Sequence, residues 1–209
     1  MEEIYVKLFI YIVIVISAVF HEYAHGWMAY ELGDDTAKRA GRLTLNPLAH
    51  LDLLGTVIVP FLSLSGSGAF IGWAKPVPFN PFALSDGKRG VMKVALAGPL
   101  ANFAIALLLG LFLRFFALSG GLSIFFGLLL FVVRVNIFLA LFNLLPLPPL
   151  DGSKVLAGLV SSRRFAVSRF LESRGLFGLI LAFLIAGLIL SPLTNGLLRI
   201  IIGPALQSL

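Results

Sequence analysis

Long apolar runs constrain this chain more than any other feature. Residues from about 4 to 28, 91 to 118, 122 to 145 and 175 to 190 are almost wholly apolar. Helices rise about 1.5 Å per residue, so about 20 apolar residues cross the roughly 30 Å hydrocarbon core of a bilayer. Lipid offers no partner to a free backbone group, so such runs cross as helices. Of 209 residues, 59% are hydrophobic and 12% charged, against about 25% charged in an ordinary soluble domain. The chain reads as an all-α polytopic integral membrane protein with about four to six transmembrane helices. Its surroundings are the lipid bilayer. The net charge of +6 does not imply nucleic acid, because Lys and Arg in a membrane chain mostly set orientation. The first run is not expected to be a cleaved signal peptide: Glu2 and Glu3 front it and no A-x-A pattern follows. Cysteine is absent, which excludes disulfides, thiolate ligands and a cysteine nucleophile.

Between the first two long helices lie two unusual stretches. "LDLLGTVIVPFLSL" at 51–64 is apolar but holds Gly55 and Pro60, and fourteen helical residues reach only about 21 Å. "GSGAFIGWAKPVPFNPFALSDGKRG" is rich in Gly and Pro, so turns and extended backbone are expected there. Orientation follows from Lys38, Arg39, Arg42, Lys75, Lys88, Arg89, Lys93, Lys154, Arg163, Arg164, Arg169 and Arg174. All lie on one side if 51–64 does not cross, and the positive-inside rule favours that arrangement. The run 51–64 therefore reads as a re-entrant, partly extended segment, with an extra crossing as the alternative. "SGG" at 119–121 separates two helices, "PLPPLDG" ends the second of them, and "SPLTNG" is expected to end the helix at 175–190. No repeat or linker divides the chain. A single membrane-embedded domain over 1–209 is expected, with a core of about 4–160 and C-terminal helices over 161–209.

The first helix carries His21, Glu22 and His25 in "HEYAH", near its inner end under that orientation. Positions i and i+4 share a helix face, so His21 and His25 can present nitrogens to one ion. Glu22 sits beside them, close enough to address a metal-bound water without binding the metal. On an exposed helix of a soluble protein this pattern is often accidental. Inside an apolar run three ionisable groups cost several kcal/mol to insert, so a functional site is the default. Zinc suits the arrangement: it lowers the pKa of its water and a carboxylate takes the proton.

Catalytic zinc usually keeps three protein ligands. Position 31 is glutamate, so the continuation with a third His six residues after His25 fails. The other histidine is His50. Glu31, Asp34 and Asp35 sit beside basic residues and read as solvated loop, and Asp86 in "SDGKRG" reads as a turn. Asp151 differs. It follows an apolar helix in "NLLPLPPLDGSKV", where three prolines unwind the backbone. It could merely cap the next helix. However, the third crossing ends on the same inner side as HEYAH, so Asp151 can reach the metal.

His-Glu-x-x-His in one membrane helix followed by Asn143, Pro146, Pro148, Leu150, Asp151 and Gly152 in a later one resembles the site-2 protease family, peptidase family M50. "AGPLANF" at 97–103 resembles the family's Gly-Pro element in the helix between the two metal-binding helices, and "GWAKPVPFNP" at 72–81 resembles the compact branch without PDZ or CBS domains. The resemblance implies one catalytic zinc ion held by His21, His25 and Asp151, with Glu22 as general base. Asn143 would contact the substrate backbone or developing oxyanion, and Asn102 would pack helices with a secondary substrate role. It also implies a prokaryotic plasma membrane with the site nearer the cytoplasmic side. Ser153 stands where the family commonly has a second glycine, a change expected to be tolerated.

The expected activity is that of an intramembrane zinc metalloendopeptidase cutting transmembrane segments of membrane-protein substrates, as in regulated intramembrane proteolysis. Self-association stays open. The alternatives are a zinc or cation transporter, which predicts repeated halves that are absent here, and an inactive membrane-protein-binding relative, which the intact His21, Glu22 and His25 disfavour. Arg134 and Asn136 are expected to snorkel or face the bundle. "FIGWAKPVPFN" is expected to offer an edge for an unwound substrate strand or to serve as a structural plug. Trp27 and Trp73 are expected as interfacial anchors.

Overall fold

The computed structural model describes residues 2–58, 75–116, 124–159, 184 and 186–203. Six α-helices are found among them: α1 Glu2–Glu31, α2 Thr36–Arg39, α3 Gly87–Phe116, α4 Ile124–Asn143, α5 Asp151–Leu159 and α6 Ser191–Ile202. No strand occurs among the described residues. By length and composition α1, α3 and α4 can cross a membrane, and each lies where its apolar run predicts it. The chain divides into two compact units, residues 1–87 and 88–209.

In the first unit, short elements fold back along α1. Asn46 caps a 3-10 turn at Pro47–His50 by accepting the Leu48 N–H, with Pro47 in the first turn where a missing donor costs nothing. Asp52 opens a π-helical turn at Leu53–Ile58. Its carboxylate accepts the Gly55 N–H at 2.7 Å and its own N–H donates to Thr56 Oγ1 at 2.9 Å, reciprocal capping of the kind that stabilises a helix start. The Tyr11 hydroxyl donates to the Thr56 carbonyl at 2.8 Å. Tyr11 lies ten residues before His21, about 15 Å along the helix axis, so residue 56 sits deep beside α1. The chain is nevertheless back at its starting point by Lys75, whose N–H donates to the His50 carbonyl at 3.0 Å. Residues 59–74, with the rest of the 51–64 run and Trp73, lie outside the described residues.

In the second unit the core is Ala106 and Leu113 of α3, Val133 and Ile137 of α4, and Leu198 and Ile202 of α6. Lipid tails are as apolar as these side chains, so close approach and polar pairs must hold membrane helices together. Both devices are present. A side chain at Gly110 would collide with Ile201 of α6. Asn102 and Asn136, fully buried, join α3 to α4 through a 2.8 Å bond from Asn102 Nδ2 to Asn136 Oδ1. Asn136 also donates to the Val132 carbonyl of its own helix. Replacing Asn102 by Ala should destabilise the α3–α4 pair by about 1 kcal/mol, measured by unfolding in mixed micelles.

Two arginines hold α6. Arg114 donates to the Ile200 carbonyl in its last turn at 3.1 Å, satisfying an acceptor with no helical partner, and Arg134 donates to Asn195 at 2.5 Å. One expectation fails here. "SPLTNG" does not end a helix: it forms the first turn of α6, entered from a π-helical turn at Ala186–Leu190. Pro192 falls in that first turn, a position that proline tolerates because its φ suits a helix start. The helix stops instead at Gly203, whose φ of +95° is cheap only without a Cβ. Most of the expected 175–190 helix and the basic stretch beyond 159 lie outside the described residues.

Candidate metal centre

α1 continues through the histidines, so i and i+4 meet as the spacing predicts. His21 and His25 are both buried, their rings edge to face with centroids 4.6 Å apart. Their Nε2 atoms approach to 3.0 Å. Two imidazole lone pairs cannot face each other at that distance unless a proton or a cation lies between them. Tetrahedral zinc with bonds of about 2.0–2.1 Å places two nitrogens roughly 3.3 Å apart, so the pair is within a few tenths of an ångström of that spacing. One carboxylate oxygen of Glu22 completes a group whose ligand atoms all lie within 4.8 Å of one another. Two imidazoles with an adjoining carboxylate suit zinc by softness and charge.

Glu22 is not free to swing. Its Oε2 accepts the Val77 N–H at 2.8 Å. Val77 belongs to residues 75–80, which have no regular secondary structure and are tied down on both sides. Lys75 is bonded to the His50 carbonyl, and the Asn80 N–H donates to Asp34 Oδ2 at 2.6 Å. Pro76 and Pro78 have no N–H. Every backbone donor from 75 to 78 is thus engaged or absent, which leaves only carbonyls for any strand pairing. Proline at Val77 would also remove the donor to Glu22, so that variant cannot report on strand pairing alone.

Asp34 corrects the sequence reading. It is no solvated loop residue but has no exposed surface, although it lies near the edge of the protein. It accepts the Thr36 N–H at 3.0 Å, the Thr36 hydroxyl and the Asn80 N–H. Burial alone would raise its pKa. The bonds from Thr36 and Asn80 and the charge of Arg39 outweigh burial and hold it below the ordinary 3.8. The D-x-T spacing was the available signal, because such residues bond their own backbone two positions on. His50, also buried, bonds the Thr44 carbonyl through Nε2 at 2.8 Å and is not part of the His21–His25 group.

The remaining expected residues belong to the second unit. Asp151 is the buried first residue of α5 and pairs with Lys154 one turn on, Nζ to Oδ1 3.0 Å. The adjoining Ser153 returns its hydroxyl to the Leu150 carbonyl at 2.7 Å, so this departure from the second glycine is satisfied locally. Asn143, last residue of α4, is half-buried and donates to the Leu139 carbonyl at 3.0 Å. Asn102 is committed to Asn136 as described above.

Comparison with known proteins identifies the family. Residues 117–187 match Peptidase family M50. The chain is 36% identical over 199 residues to "Putative zinc metalloprotease YwhC" of Bacillus subtilis, covering 90% of this chain and 86% of the relative. This chain belongs to peptidase family M50. It is a metalloprotease by that membership. It is also 32% identical over 152 residues to "Putative zinc metalloprotease Rip2" of Mycolicibacterium smegmatis, covering 71% of this chain and 56% of that protein. Over 64 residues it is 47% identical to "Putative zinc metalloprotease MJ0611" of Methanocaldococcus jannaschii, covering 31% of this chain and 32% of the relative. No solved structure gives a significant match.

Proposed function

We propose that this M50 member is an intramembrane zinc endopeptidase, one domain over the whole chain, that cuts transmembrane segments of other membrane proteins. The observation that carries the reading is the His21–His25 nitrogen pair with the anchored Glu22 carboxylate, set in a helix otherwise apolar enough to span a bilayer. His21 and His25 would hold one zinc ion, with Asp151 as third ligand. Bound there, zinc supplies an acidified water and polarises the scissile carbonyl.

Glu22 accepts the proton of the attacking water and returns it to the leaving amine, the work of a general base and then acid. With Oε2 on Val77, Oε1 is the oxygen that handles the proton. Asn143 is the proposed contact to the substrate backbone or developing oxyanion. Asn102 acts by fixing α3 against α4, with any effect on substrate passing through that pair. A helical substrate hides its carbonyls in its own hydrogen bonds and must unwind locally. Substrates with Gly or Pro near the cut are therefore favoured. Cleavage would occur in a prokaryotic plasma membrane, nearer the cytoplasmic side, as in regulated intramembrane proteolysis.

Glu22→Gln tests this. Zinc content should stay at the wild-type level and cleavage should fall by at least about 100-fold. The measurement compares fragments ending within spanning helices in membranes carrying either protein. Retained cleavage would sink the proposal. Zinc flux into liposomes that survives Glu22→Gln would point to a transporter.

A further inference from the structure

The Glu22 side chain has three rotatable bonds, and a base that must meet a water at one place loses rate when it wanders. Nothing in HEYAH itself fixes it. The structure supplies the constraint from 55 residues away. The Val77 N–H reaches Glu22 Oε2 at 2.8 Å, a bond to a charged acceptor and so of the stronger kind. Gly26, one turn after Glu22 on the same face, makes the approach possible: a Cβ there would stand 3.0 Å from Val77 Cγ1. Val77 is itself buried. Its amide is held from both sides by the Lys75–His50 and Asn80–Asp34 bonds and stiffened by the flanking prolines, whose φ is fixed.

We infer that Val77 is a positioning residue for the reaction: its backbone N–H, admitted over Gly26, fixes the Glu22 carboxylate through one oxygen and leaves the other for proton transfer. This rests on the proposed function, in which Glu22 is the base. It assigns the orientation of that base to the 75–80 segment and not to the zinc ligands. The alternative is that the bond merely fastens the segment to α1. The two differ in what its loss does. A fastening lost lowers stability and leaves turnover of the folded enzyme intact. An orienting bond lost lowers kcat with KM and zinc content unchanged.

The decisive variant replaces the Val77 amide by an ester, installing the hydroxy-acid analogue of valine in the full-length protein, which deletes the N–H and keeps the valine side chain. The comparator is Val77→Ala, which keeps the N–H. The substrate is a labelled transmembrane segment with a Gly-Pro break, in detergent micelles. The ester protein should show kcat about 10- to 100-fold below that of Val77→Ala, with equal KM and one zinc per chain in both. Val77→Pro, which also lacks the N–H, should fall in the same range if the ester protein folds poorly. Equal kcat in the ester and Val77→Ala proteins overturns the inference, as does a loss of kcat that tracks loss of zinc. An active Glu22→Gln enzyme would overturn the proposed function instead, so the two failures are distinguishable.

Discussion

Gly152→Ala should leave a chain that no longer builds the end of α4 and the start of α5, with cleavage lost and folding stability reduced by about 3 kcal/mol or more. Gly152 is buried between Asp151 and Ser153. A Cβ built on it falls far inside contact distance of the Leu144 carbonyl carbon and oxygen and the Leu145 carbonyl oxygen. All three are backbone atoms. No rotamer change can move them, and Leu144 and Leu145 are held by bonds from their own N–H groups to Ala140 and Phe142. Relief therefore requires α5 to shift, carrying Asp151 and its Lys154 partner with it. Gly127 is the control: nothing lies within 4 Å of a Cβ there, so Gly127→Ala in α4 should be neutral or slightly stabilising. Unfolding in mixed micelles together with zinc content separates the cases. A Gly152→Ala protein with wild-type stability and zinc would show that the approach of the two segments is not obligatory.

Asp34→Ala should be the most damaging change in the first unit outside His21, Glu22 and His25. It removes an acceptor that serves the Thr36 N–H, the Thr36 hydroxyl and the Asn80 N–H. Thr36 is half-buried and Asn80 exposed, so water can reach the freed amides, and losing three bonds to a charged acceptor should lower stability by about 1–3 kcal/mol. Freeing Asn80 also releases one of the two anchors beside Val77, so kcat should drop further than stability alone explains. Asp34→Asn keeps one acceptor and should lie between. The pH dependence has a definite sign. The folded pKa lies below the ordinary 3.8, so the stabilisation is fully present above that value and fades as pH falls through the folded pKa. Wild type should lose this contribution only below about pH 4, and Asp34→Asn should lack that acid limb. Thermal unfolding against pH in detergent measures both; coincident acid limbs would exclude the assignment.

The sequence carried much of this protein because its strongest signals are local or depend on solvent. Twenty-odd apolar residues have one way to cross lipid, so α1, α3 and α4 appear where composition places them. Four residues of spacing on a helix have one geometry, so His21 and His25 meet with no help from the rest of the chain. The turn signals were weaker guides. Proline and glycine in "SPLTNG" read as a stop, yet proline is at home in a first turn, and local sequence cannot tell the end of one helix from the start of the next.

What tertiary structure alone decided is how the polar groups around that helix are partnered. Val77 is an apolar residue between two prolines, and its contribution is a backbone N–H. Such a donor has no signature in sequence, because every residue but proline carries one. Asp34 looked solvated because its sequence neighbours are charged, but its partner Asn80 lies 46 residues away. Gly26 reads as a weak helix former until Val77 is found against it. Apolar length and helical periodicity are properties of contiguous residues, so the sequence by itself determined the membrane helices and the meeting of the two histidine nitrogens. Hydrogen-bond partnership between distant segments depends on where the folded chain brings them, so only the structure revealed what holds Glu22 in place.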